Sequence, residues 1–230
     1  NFSSGARVLD TTRNVGIGSE SLDSLTSGKY NAAVGTSSMA SNVSGNSNSA
    51  LGYRTLYSNT TGSGNSAQGA YALLYNTTGN YNIAIGNSAL RNNIEGDQNT
   101  AIGVLSMKKT VGSYNTAIGY ASLENNADGS NNIAVGRQAG RRSTGSGNTF
   151  LGTGTGSDLT SGDNNVFIGY NSCNSDTSIS NALCIGANGN NLITGNFANG
   201  TISIGQTNNG SVQVLNNLNV AAASTLEGNL

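Results

Sequence analysis

The sequence predicts an all-β fold, a parallel β-roll or β-solenoid of about 12 rungs with a 17-residue repeat. Three observations carry this reading. A pentad of the form N-x-A-I-G closes at Gly18, Gly35, Gly52, Gly69, Gly86, Gly103, Gly119, Gly136, Gly152, Gly169, Gly186 and Gly205, spaced by 17 residues, by 16 at two steps and by 19 at the last. The residue before these glycines is a β-prone aliphatic in every copy except the one holding Gln68. Gly numbers 33 and Pro 0, a composition that favours turns needing positive φ over a disordered low-complexity chain. Seventeen residues are too few for a two-helix unit, and leucine-rich repeats begin near roughly 20. Two short strands and two Gly-containing turns fit, and stacked rungs would set like residues about 4.8 Å apart.

Residues 1–13 read as an N-terminal lead-in strand. The start, Asn1-Phe2-Ser3-Ser4, has neither a charged n-region nor an apolar h-region, and suggests the interior of a longer polypeptide or a processed end. Residues 14–205 are the solenoid. Its representative repeat residues are Asn82, Ala84, Ile85 and Gly86, then Asn99, Ala101, Ile102 and Gly103, then Asn115, Ala117, Ile118 and Gly119, with Leu90 and Leu123 four places after a Gly. The Asn column suits an internal amide ladder running from rung to rung. The Leu column is expected to be buried. A second Gly recurs about ten residues after the first, from Gly28 to Gly162.

From 136 to 205 the core is altered. The Leu column passes to Gly140, Gly156, Cys173 and Asn190, while the Ala column becomes Phe150, Phe167, Cys184 and Ser203. Volume lost in one column is regained in the other. Residues 206–230 alternate Val212, Val214, Leu218 and Val220 and read as a C-terminal, fibre-shaft-like segment.

The strand N-x-A-I-G is apolar on both faces, so both faces should be buried. The Ile column is assigned to the interior, and the Ala column to close approach of another backbone near a shared axis. Each rung offers only about two aliphatic side chains, too little burial to offset the ordering of 17 residues. A side-by-side or intertwined homotrimer would supply the remainder. Ala that faces outward merely because it is small is the plainer reading.

Composition excludes several functions. With 0 His, a Ser-His-Asp triad, a Cys-His pair and a His-ligated metal are absent from this chain. The net charge of −1 argues against a nucleic-acid partner. No apolar run is long enough for membrane insertion as a helix. Nothing marks the carboxylate pairs Glu95 with Asp97 and Glu124 with Asp128 as catalytic, so no enzyme activity and no cofactor are expected. Acidic residues form no column and the G-G-x-G-x-D motif is missing, which disfavours calcium-binding repeats.

Asn115-Thr116-Ala117-Ile118-Gly119-Tyr120-Ala121-Ser122-Leu123 and its sister copies resemble repeats of phage and large-virus tail fibres. They are also similar to the N-S-V-A-I-G-x-x-S repeats in the heads of trimeric autotransporter adhesins, which are left-handed β-rolls. Asn14-Val15-Gly16-Ile17-Gly18 is similar to a segment upstream of the intramolecular chaperone that trimerises phage fibres, and Leu218 to Leu230 resembles fibre-shaft repeats. The resemblance implies a homotrimeric virion tail fibre for host attachment, with other fibre or baseplate proteins and a host surface glycan or protein receptor as partners. A bacterial cell-surface adhesin head is the alternative. An ice- or glycan-binding solenoid is a further one, although the column of Val15, Ala32, Ser49, Ser66, Ile83, Thr100 and Thr116 lacks the regular Thr array that ice binding needs.

Candidate receptor contacts are Arg91, Lys108 and Arg141, in a column five places after the Gly, and Tyr57 and Tyr75, which lie near Tyr71. Glu124 falls between two cations of that column. A ridge for acidic glycans is the functional reading and a solvated face the plain one. Tyr rings suit sugar stacking, or equally cover turns. Cys173 and Cys184 fall in different columns and are expected to be small buried residues with free thiols.

Overall fold

The computed structural model describes residues 6–9, 13–174 and 177–204. Their secondary structure consists of strands: β1 (Ala6–Leu9), β2 (Asn14–Ile17), β3 (Ala32–Val34), β4 (Ser49–Leu51), β5 (Ser66–Gln68), β6 (Ile83–Ile85) and β7 (Thr100–Ile102). They continue as β8 (Thr116–Ile118), β9 (Ile133–Val135), β10 (Thr149–Leu151), β11 (Val166–Ile168), β12 (Ala182–Ala187), β13 (Asn190–Asn196) and β14 (Thr201–Ile204). Strands β2 to β12 stack in chain order through ten parallel pairings. Each pairing keeps the sequence register, as in Ala101↔Ala117 and Ile102↔Ile118. This is a parallel β-solenoid of about ten turns.

The ends depart from the repeat. β1 runs antiparallel to β2, and β13 and β14 turn back antiparallel after β12. The copy that ends before Gly205 therefore lies in a hairpin strand, and the parallel stack is shorter than twelve rungs. The fibre-shaft-like reading of 206–230 falls outside the described residues.

Each three-residue strand is closed by a Gly that no other residue could replace. Gly103 has φ +133, outside the range of L-residues, and a Cβ there would sit 2.6 Å from the carbonyl carbon of Gly119 on the next rung. The second Gly column has a different cause. Gly79 does not have positive φ, but a Cβ on it would lie 2.6 Å from the Gly96 carbonyl oxygen. Close stacking of rungs, rather than turn conformation, requires Gly there.

The strands face the opposite way from the sequence reading. Ala33, Ala84, Ala101, Ala117 and Ala134 are wholly buried, whereas Ile17, Ile85 and Ile118 face outward. Ala117 is 0% exposed and its neighbour Ile118 39%. The Ala column therefore lines the interior, and the Ile column does not. The reason is volume. The Leu column, from Leu22 to Leu123, is also wholly buried and already fills the narrow coil. Only a methyl fits opposite it, as interiors pack to near-crystalline density.

That Leu column adopts left-handed backbone, with φ of 54 at Leu22, 49 at Leu90 and 47 at Leu123. Such a conformation costs an L-residue about 1–2 kcal/mol. Gly140 and Gly156 occupy the same column at φ 56 without that penalty. Their missing side chains make room for rings: a Cβ on Gly140 would be 2.5 Å from Phe150 Cδ2, and one on Gly156 2.6 Å from Phe150 Cε1. Phe150 and Phe167 fill the core edge to face, with centroids 5.7 Å apart.

Two polar ladders flank this thin apolar core. In the first, each Asn accepts the backbone N–H of the next at its Oδ1, as when Asn99 N donates to Asn82 at 3.0 Å. Its Nδ2 donates to a second-column Gly carbonyl, as from Asn82 to Gly96 at 2.8 Å. The ladder ends where Ala182 N donates to Asn165. The second ladder comprises Asn42, Asn59, Asn76 and Asn93, each wholly buried, and sequence reasoning missed it. Asn59 Nδ2 donates to Asn42 Oδ1 and to the Gly62 carbonyl, both at 2.9 Å. Thr110 and Ser143 interrupt this column, and Asn93 and Asn126, one rung before them, have Oδ1 atoms without a partner.

Candidate functional site

The turns that follow the strand glycines carry most of the surface chemistry. They project side chains at two, five and six places after the Gly, so cations and rings on successive rungs line up along one side of the roll. Five of these side chains form a continuous set with Tyr53. The Arg54 guanidinium lies 5.4 Å from the ring centroids of both Tyr53 and Tyr57. Tyr53 meets Tyr71 edge to face at 5.3 Å. Arg91 then lies 5.8 Å from the Tyr71 ring and 5.6 Å from that of Tyr75. Two Tyr–Arg–Tyr sandwiches are thereby joined across three rungs.

Among the candidates from sequence, the structure thus brings Arg91 together with Tyr75, and connects Tyr57 to them through Arg54 and Tyr53. Lys108 follows Arg91 one rung along and is half-buried. Arg141 is separated from this set, because its Nε donates to Glu124 Oε2 at 3.0 Å. The expected cationic ridge therefore stops at Glu124. Tyr53 and Arg54 were missed as site residues. Their signal was the rung spacing, which sets Arg54 and Tyr71 in one column, together with a run from Ser24 to Ile94 that holds no acidic residue.

One carboxylate of each pair has a structural partner. Asp97 Oδ1 accepts the backbone N–H of Asn80 at 2.6 Å, and Glu124 is paired with Arg141. Asp158 lies 3.6 Å from Arg142 and lines an open cleft of about 450 Å³ with Asn171, Asn174, Asn188 and Gly189. Among the described residues no group of three or more His, Cys, Asp or Glu is placed to hold a metal ion.

The cysteines overturn the free-thiol expectation. Cys173 and Cys184 form a disulfide, with Cα atoms 6.1 Å apart. Cys173 stands in the Leu column and Cys184 in the Ala column of the next rung. Because both columns face the interior, the two side chains meet there.

The second surface feature is the outward face of β2 to β12. It presents Val15, Ile17, Ile83, Ile85, Ile133 and Val135 to solvent, and no charged residue occupies any outward position of these strands.

No family model matches this chain, and no curated protein or solved structure matches it either.

Proposed function

We propose that this chain is a non-enzymatic structural segment of an extended fibre that attaches to a host surface, most simply a virion tail fibre, and that it assembles as a parallel homotrimer. The observation that carries this reading is the uncharged outward face of β2 to β12, on which exposed aliphatics recur from rung to rung on either side of the polar strand β5 with its Ser66 and Gln68. Exposed aliphatic side chains grouped on one face in this way mark an interaction site. Its side chains recur at the rung spacing, so only a surface of the same period matches it from end to end. Another copy of the chain in register has that period. The face carries no charge, so copies meet without like-charge repulsion. The shared axis then runs beside the Ile column, and not beside the Ala column, which is enclosed. The resemblance of the repeats to tail fibres and to trimeric adhesin heads supports both the assembly and the attachment role. A bacterial surface adhesin would use the same geometry.

Light scattering on the purified chain tests the assembly. The expected mass is three chains for the native protein and one for Ile102→Asp combined with Ile118→Asp. A folded native monomer at micromolar concentration would overturn the trimer.

A further inference from the structure

We infer that the strip of Tyr53, Arg54, Tyr57, Tyr71, Tyr75 and Arg91 binds an anionic polysaccharide laid along the roll axis. The inference deepens the attachment reading and rests on it only for the nature of the target surface.

Charge is the first argument. The chain is nearly neutral, yet no acidic residue lies between Asp23 and Glu95. The turns after Gly52, Gly69, Gly86 and Gly103 hold four cations, adding Lys108 and Lys109 to the two arginines, and no carboxylate. Neither Arg54 nor Arg91 forms a salt bridge among the described residues. Each is held by ring faces instead, with Arg54 exposed and Arg91 half-buried, its Nε enclosed without a hydrogen-bond partner. A planar guanidinium fixed in this way is suited to bidentate capture of a carboxylate or sulfate.

Hydrogen bonding is the second argument. Tyr53 and Tyr75 are 41% and 46% exposed, so their hydroxyls are available to a polyhydroxylated ligand. Spacing is the third. The strip crosses rungs at a pitch of about 4.8 Å, close to the length of one sugar ring in a chain, so successive sugars could meet successive rungs.

A single-stranded nucleic acid is the competing anionic polymer. It would need open ring faces on which bases stack. Here one face of each of the four rings is covered by a guanidinium. That favours sugar hydroxyls and acid groups over bases.

The test is binding of the purified chain to immobilised polygalacturonate, dextran sulfate, neutral dextran and oligothymidylate. The expected result is binding to one or both anionic polysaccharides, polygalacturonate and dextran sulfate, and none to neutral dextran. The arm bound more tightly tells whether the acid group is a carboxylate or a sulfate. Arg54→Ala with Arg91→Ala should weaken binding by about a hundredfold, and Arg54→Lys with Arg91→Lys by about tenfold, since charge remains but the fork is lost. If the alanine pair unfolds, as read by circular dichroism, the lysine pair decides. Equal binding to neutral dextran, tighter binding to oligothymidylate, or folded lysine variants with native affinity would each overturn the strip. Light scattering on the same samples separates the two proposals. A trimer that binds no anionic sugar defeats the strip alone, and a monomer that binds polygalacturonate defeats the trimer alone.

Discussion

In the rungs of β3, β4 and β6 to β9 a Leu or Met packs across the interior from an Ala, while around β10 and β11 a Gly packs across from a Phe. The two regions keep the same strand register and the same Asn ladder, from Asn14 through Asn165. The interior therefore constrains the summed volume of each layer and leaves open which column supplies it. The ladders and the glycine contacts set the rung, and the apolar side chains fill what the rung encloses. Where the columns reach Cys173 and Cys184, the same opposition allows a covalent link.

The largest expected effect breaks the facing on which this comparison rests. Ala101→Asp puts an unpaired carboxylate into a closed interior and should abolish folding, because an isolated buried charge has no compensating partner. Ile102→Asp, one residue on, should leave the monomer's circular dichroism spectrum intact and act on association. Equal loss of folded signal from both variants would reject the facing.

The next variant acts on the altered region. Phe150→Ala leaves a void between Gly140 and Gly156 and should cost about 3–5 kcal/mol in denaturant unfolding. Gly140→Leu in that background should recover part of the loss, since Leu already occupies this backbone conformation at Leu123 and the close ring contacts of Gly140 are with Phe150 alone. The same substitution in the native background should destabilise by overpacking against the Phe150 ring.

A smaller effect comes from the disulfide, which closes a loop with a sequence separation of 11. Reduction should raise the mass by two hydrogens and lower stability by about 3 kcal/mol. A native mass that does not change on reduction would show free thiols. The smallest effect lies at the junction of the two regions. Glu124 and Arg141 form an ion pair across it, with the Arg side chain 44% exposed. Arg141→Ala should change the unfolding midpoint by no more than corresponds to about 1 kcal/mol. A larger change would mean that the regions are joined by charge as well as by stacking.

The sequence by itself determined the rung. Gly18 to Gly186 set its length, the residues before them set its strands, and Asn14 to Asn165 mark a polar column that recurs too regularly for a surface. It also showed that Gly140 and Gly156 must answer to Phe150 and Phe167. The tertiary structure decided which face of the strand is inside. Alternation along N-x-A-I-G defines two apolar faces but gives no sign, and Ile looks the better core residue by hydrophobicity alone. Enclosure reverses that preference. A coil of 17 residues leaves so little room beside Leu90 or Leu123 that the methyl of Ala101 or Ala117 fits and an Ile does not. The disulfide was illegible for the same reason, because Cys173 and Cys184 meet only when both of their columns point inward. The Tyr53 to Arg91 strip needed the stacking itself: residues about 17 apart in the chain become neighbours only when one rung lies on the next.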